Sequence, residues 1–262
     1  MLRHLSGGRR RAVNASSDLL AGLVCLLFPS PCRLCGQSLR HARRIPVCGA
    51  CLQRLPGLGQ LSCRQCGKGF AGAADSADGR CLACQVAPPD YATAQSAAAY
   101  RAEARELIHL LKYRGVVPIA GFWAERLAEL AARLPEAPEL VVPVPLGRRR
   151  RRQRGYNQSG EMGRQLARRL GCTYAAQGLR RRRETTPQTG LTAAAREQNL
   201  AGAFVGLSRR VAGKRVLLVD DVLTTGATAR AAAAALMRAG ARRVDVVTAA
   251  RAELDFIPGE AA

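Results

Sequence analysis

The chain has 262 residues, enough for one sizeable domain and a smaller one. Its formal net charge is +22, from 41 lysines and arginines against 19 acids, and only Lys68, Lys112 and Lys214 are lysines. Such an excess attracts polyanions, either nucleic acid or phosphorylated small molecules. The apolar run Leu19–Phe28 is only ten residues long, so a transmembrane segment is not expected.

Residues 1–29 read as a basic tail containing Arg9-Arg10-Arg11, then a short apolar helix packed on the protein. A basic start before an apolar run also has the form of a signal peptide, yet no small-residue cleavage site precedes Pro29. Residues 30–88 hold four Cys-x2-Cys pairs: Cys32 and Cys35, Cys48 and Cys51, Cys63 and Cys66, Cys81 and Cys84. Each pair sets two sulfurs on one side of a tight turn, and two turns complete the tetrahedron of a four-cysteine zinc ribbon. Gly36 and Gly67 each follow the second cysteine of a knuckle, where a positive φ is often needed. The sequence between knuckles is too poor in apolar residues for a core, so metal supplies most of the folding free energy there. Two structural Zn2+ ions are expected, each on sequential knuckles. Interleaved pairing and an iron–sulfur cluster fit the same spacing, whereas a disulfide framework needs an oxidising compartment.

Pro88-Pro89-Asp90 closes the ribbon region; residues 89–255 read as a larger α/β domain, and 256–262 as a tail. Ala97–Tyr100 reads as a strand, Ala102–Leu111 as a helix, and the residues through Gly115 as a basic turn. A helix over Pro118–Leu134 carries an apolar stripe with Ile119, Phe122, Trp123, Leu127 and Leu130, whose aromatics read as core. The strand Glu139–Pro145 ends in prolines. It leads into a loop with Arg148, Arg149, Arg150, Arg151, Arg152 and Arg154, a strong anion attractor, before a helix that begins at Asn157.

The most informative stretch is Val216-Leu217-Leu218-Val219-Asp220-Asp221-Val222-Leu223-Thr224-Thr225-Gly226-Ala227-Thr228. Its apolar start suits a buried parallel strand, and the alanine-rich run to Arg238 suits a helix that stops before Gly240. A loop at the carboxyl end of such a strand is where open α/β sheets bind ligands. Backbone N–H groups of Thr225–Thr228 at a helix N-terminus, with the hydroxyls of Thr224, Thr225 and Thr228, suit a phosphate monoester. Gly226 permits close backbone approach. Asp220 and Asp221 would repel a phosphate; they suit a neighbouring polyol, or Mg2+ bridging to one. A ribose 5-phosphate meets both demands. Arg242–Arg251 then supplies a further strand.

This stretch resembles the phosphoribosyl-pyrophosphate (PRPP) motif of type I phosphoribosyltransferases. The wider pattern of a Cys-rich head, Leu-Lys-Tyr-Arg-Gly, Val-Pro-Val-Pro, Arg-Gly-Tyr-Asn-Gln, Thr186-Pro187-Gln188-Thr189-Gly190-Leu191, Arg196-Glu197-Gln198-Asn199 and the acid pair resembles the ComF family over about residues 19–251. The resemblance implies a mostly parallel sheet flanked by helices, with an N-terminal double zinc ribbon, in a cytoplasmic protein of natural competence. It implies that Asp220 and Asp221 form the catalytic pair on the ribose hydroxyls and that Thr224, Thr225, Gly226, Ala227 and Thr228 hold the 5-phosphate. By the same resemblance, Arg154 and Asn157 lie at the pyrophosphate loop, and Arg180–Phe204 forms a hood bearing Gln188, Arg196 and Asn199. PRPP with Mg2+ is the implied ligand. Single-stranded DNA, along Arg148–Arg152, and a competence helicase or other uptake protein are the implied partners. The alternative is an active phosphoribosyltransferase that moves ribose 5-phosphate onto a nitrogenous base.

Overall fold

Val216–Val219 lies in the first half of β6 (Arg215–Leu223), the central strand of the sheet, flanked by β2 (Leu140–Pro143) and β7 (Arg243–Arg251), both parallel to it. These segments are continuous β-branched and leucine runs because both sheet faces are covered. The computed structural model describes residues 31–39, 44–59, 61–70, 78–183, 200 and 202–252. It divides the chain into two units, residues 1–54 and 55–262. The division falls between the two cysteine clusters.

In the first unit, the described residues form a knuckle closed by a Pro31–Ser38 bridge and the one-turn helix α1 (Gly49–Gln53). The second unit starts with the matching Ser62–Gly69 bridge and α2 (Leu82–Val86). It continues with β1 (Thr93–Ala99), α3 (Ala102–Tyr113), α4 (Ile119–Ala131), β2, α5 (Arg148–Arg154) and α6 (Gln158–Leu170). After β3 (Thr173–Tyr174), β4 (Leu179–Arg181) pairs antiparallel with β5 (Phe204–Gly206). The chain then forms α7 (Ser208–Val211), β6, α8 (Ala227–Arg238) and β7.

The main sheet is five-stranded and parallel, in the order β1-β7-β6-β2-β3. From β2 the chain crosses outward to β3, whereas from β6 it crosses the other way to β7. Right-handed crossovers in opposite directions put α6 and α8 on opposite faces and open a crevice between the carboxyl ends of β2 and β6. On the α8 face, Val216, Leu218, Val244 and Val246 pack with Ala229, Ala232, Ala233 and Leu236.

Several boundaries differ from the sequence reading. β6 runs through both acids to Leu223, because β7 keeps pairing with it there, Asp220 opposite Thr248 and Leu223 opposite Arg251. β1 starts four residues early: its small residues have little strand propensity, but they gain pairing with β7 and two cross-strand bonds. These are Thr93 Oγ1 to Asp245 Oδ1 at 2.9 Å and Ser96 Oγ with Thr248 Oγ1 at 2.6 Å. The arginine run, expected as a loop, is the exposed helix α5, bracketed by Gly147 and by Gly155 at φ 78°. Arginine is a good helix former, and a left-handed glycine ends such a helix.

Candidate functional site

The two acids stand where β2 has ended and β6 continues. Pro143 is the last β2 residue in register, opposite Val219, and Val144 N–H closes the pair by donating to Val219 O at 2.9 Å. Beyond that point the side chains of Asp220 and Asp221 face the start of α6. Ser159 Oγ donates to Asp220 Oδ1 at 3.0 Å, as does the Asp221 backbone N–H at 2.8 Å. Gln158 Nε2 donates to Asp221 Oδ2. From the last turn of α3, Lys112 Nζ pairs with Asp221 Oδ1 at 2.9 Å, both side chains being largely buried.

Neither Lys112, Gln158 nor Ser159 was read from the sequence as a site residue. Lys112 had one available signal: it is one of three lysines in a chain where arginine otherwise supplies the cationic charge. Gln158 closes the Arg-Gly-Tyr-Asn-Gln motif, and its role emerges only when α6 is docked.

Burial, with the neighbouring Asp221 carboxylate, pushes the Asp220 carboxyl up to about 7; the Asp221 N–H and the Ser159 hydroxyl act the other way. The Lys112 ammonium is raised above the ordinary lysine value: burial opposes its charge, but Asp221 and then Asp220 outweigh that. Lys112 already occupies Asp221 Oδ1, so a cation is in place beside the acid pair. That arrangement suits the hydroxyls of a polyol better than a divalent cation held by the acids alone.

After Leu223 the chain bends through Thr224 and Thr225 to Gly226, at φ 83°, which begins α8 without a capping side chain. Ala227 N–H reaches Thr225 Oγ1 at 3.4 Å. The N–H groups of the first turn are therefore directed at the crevice end of the sheet, where an anion is favoured. Tyr91 lies buried beneath this loop, and a Cβ built on Gly226 would stand 3.8 Å from its hydroxyl.

Asn157 caps the junction between β2 and α6. Its Nδ2 donates to Val144 O at 3.0 Å, and its Oδ1 is buried without a hydrogen-bond partner among the described residues. Arg154 is directed elsewhere: its guanidinium lies over the Tyr113 ring, 5.0 Å from the centroid. Tyr156 OH donates to Leu111 O, so the motif's arginine and tyrosine both tie α5 and α6 to the end of α3. Arg148, Arg151 and Arg152 with Gly155 line one cleft, and Leu146 and Arg148 with Arg181, Arg182 and Arg183 line another of about 210 Å³. Arg181, at the end of β4, and the Arg182 and Arg183 that follow it are a contribution that the sequence assigned only to the start of a hood. Gln188, Arg196 and Asn199 lie outside the described residues.

The eight knuckle cysteines form two clusters, Cys32/Cys35/Cys48/Cys51 and Cys63/Cys66/Cys81/Cys84, so the pairing is sequential. Sulfur separations are 4.0 Å for Cys32–Cys51, 3.7 Å for Cys35–Cys48 and 3.6 Å for Cys66–Cys81. Tetrahedral zinc with Zn–S bonds of about 2.3 Å puts ligand sulfurs about 3.8 Å apart, whereas a disulfide needs about 2 Å. Backbone N–H groups bond to the sulfurs: Cys48 to Cys32 Sγ at 3.3 Å, Cys66 to Cys63 Sγ at 3.4 Å and Cys81 to Cys63 Sγ at 3.3 Å. Burial disfavours a Cys63 thiolate, but the N–H groups of Cys66, Cys81 and Gln65 outweigh it and hold the thiol down at about 7. The donor sets fit two structural zinc ions.

The second cluster is built into the larger unit. Its four cysteines share a core with Tyr91 and Ala94. Ala94 N–H donates to Gln65 O at 2.7 Å, and Arg251 Nη1, from the end of β7, donates to Cys66 O at 2.7 Å. From α8, Arg230 Nη1 donates to Ala87 O at 2.7 Å.

Models of two families match the chain: a phosphoribosyl transferase domain over residues 126–253 and a double zinc ribbon domain over 23–86. A DNA utilization protein, YhgH, of Salmonella typhi is 37% identical over 229 residues, covering 84% of this chain and 96% of its own length. Competence protein F of Haemophilus influenzae is 39% identical over 117 residues, 44% of this chain and 51% of that protein. A glutamine PRPP amidotransferase of B. subtilis, solved with ADP and GMP, aligns over 51% of this chain and 26% of its own at 25% identity, with a TM-score of 0.37. A phosphoribosyltransferase domain joined to a double zinc ribbon, with near full-length similarity to a DNA utilization protein, establishes that the chain belongs to the ComF family.

Proposed function

We propose that the chain binds PRPP, with the Mg2+ that accompanies its pyrophosphate, in the crevice between β2 and β6, and that it serves DNA utilisation in natural competence in contact with single-stranded DNA. The observation that carries this reading is the placement of Asp220-Asp221 and the Thr224–Thr228 loop at the switch point of a parallel sheet. The α8 N-terminus takes the 5-phosphate and the acid end of β6 takes the sugar. Magnesium is part of the ligand here, since Lys112 already occupies Asp221. The names of the relatives, a DNA utilization protein and a competence protein, support the cellular role. That role places the chain in the cytoplasm, beside uptake-machinery proteins, where its thiols stay reduced.

The exposed arginines of α5 provide the phosphodiester contact. Affinity for an oligothymidylate should fall steeply with salt, and replacing Arg148–Arg152 with glutamine should flatten the log–log slope by about 2–3. A slope unmoved by those five replacements removes α5 from the interface.

A turnover assay with PRPP and a panel of bases separates binding from transfer. The arginine-lined clefts favour polyanion binding, so PRPP should bind without pyrophosphate release. Release with one particular base establishes the transferase reading instead.

A further inference from the structure

Gln158 is 3% exposed, and its amide orientation is fixed by its neighbour. Nε2 must face Asp221 Oδ2, because turning the amide over would set its carbonyl against a carboxylate. That leaves Oε1 buried with no hydrogen-bond partner among the described residues. A buried acceptor beside two acids awaits a donor. Both oxygens of Asp221 are already engaged, Oδ1 by Lys112 and Oδ2 by Gln158. Asp220 receives its bonds at Oδ1, and among the described residues none reaches its Oδ2. Two acceptors beside the acid pair, Gln158 Oε1 and Asp220 Oδ2, are therefore left without a donor among the described residues. With one ammonium set against the two carboxyl groups, the site suits neutral hydroxyl donors.

We propose that Gln158 is a specificity-determining residue that touches the ligand: its Oε1 accepts one hydroxyl of the pentose diol while Asp220 accepts the other. Asp221 is then a positioning residue, which holds the Gln158 amide and the Lys112 ammonium in place. This rests on the ribose-phosphate reading above and adds to it the group that reads the sugar. Removal of the hydroxyl that Gln158 reads strands a buried acceptor again, which is why the site distinguishes a ribose from its deoxy analogue.

The test is calorimetry of the zinc-loaded full chain with ribose 5-phosphate, 2-deoxyribose 5-phosphate and 3-deoxyribose 5-phosphate. Wild type is expected to bind one of the two deoxy sugars about tenfold or more weakly than ribose 5-phosphate. In Gln158→Met that ratio should shrink to within about threefold. Discrimination that persists in Gln158→Met, or equal wild-type affinity for all three sugars, overturns the role of Gln158 and leaves the ribose-phosphate site standing. Wild type that binds none of them overturns the site as well. Should Gln158→Met not fold, a crystal structure of wild type with ribose 5-phosphate decides: a sugar hydroxyl within about 3.2 Å of Oε1 supports the assignment, and both beyond about 3.5 Å overturn it.

Discussion

Replacing Cys84 with serine is expected to unfold the larger unit, not merely to loosen a peripheral ribbon. Cys84 is 1% exposed, and its cluster is part of the core that holds Tyr91 and the start of β1. Three thiolates and a hydroxyl hold zinc far more weakly than four thiolates. A structural site of this kind contributes about 10–16 kcal/mol of apparent folding free energy in small zinc domains. The whole margin of a domain is about 5–15 kcal/mol. Loss of the metal therefore also releases the ties from Arg251 to Cys66 and from Ala94 to Gln65 that fasten the knuckle to the sheet. Metal content should fall from two zinc ions to one, and the cooperative thermal transition of the larger unit should disappear from circular dichroism. Cys51→Ser, in the unit of residues 1–54, should lose one zinc with that transition retained. A full transition at the wild-type temperature in Cys84→Ser would contradict the integrated role of the second cluster.

Lys112→Met should cost about 3–5 kcal/mol near pH 8, because it leaves buried acids without their cation. Both partners of the Lys112–Asp221 pair are largely buried, so solvent screening does little to reduce this figure. For a domain of this size the loss lowers Tm by about 10 °C. The pH dependence has a definite sign. An acid whose folded pKa is raised binds its proton more tightly in the native state, so its stabilising effect is complete below the unfolded value and is lost as pH rises through the folded one. Asp220, raised to about 7, already follows this course in wild type, between about pH 4 and 7. Without Lys112 the acid pair holds its proton to higher pH. The gap between variant and wild type should therefore be widest near pH 8 and should narrow towards pH 5. A gap that does not change over that range would show that Lys112 acts through packing alone.

The parts of the site that were legible in the sequence are local ones. The acid pair and the threonine loop occupy thirteen contiguous residues, and the cysteine clusters follow a spacing that the tetrahedron itself imposes. Sequential knuckle pairing was one of three arrangements that four knuckles allow, and only the placement of the sulfurs selects it. What was not legible comes from distance. Lys112 and Gln158 meet Asp221 because α3, α6 and β6 converge at the switch point, and no short-range pattern encodes that meeting. The arginine run illustrates another limit. Its charge pointed to a solvated loop, while its intrinsic helix propensity and two bracketing glycines made a helix. β1 was read too short for a related reason: alanine and serine do not advertise a strand, and β7 supplies the pairing that makes one.

The ribose-phosphate site is tested most directly by calorimetric titration of PRPP–Mg2+ into wild type and into the double variant Asp220→Asn plus Asp221→Asn. Wild type is expected to bind. The double variant should show no measurable heat, since asparagines remove the charged acceptor for the sugar and the partner of Lys112 together, while its zinc content stays at two. Unchanged affinity in the double variant would contradict the assignment of these acids to the ligand.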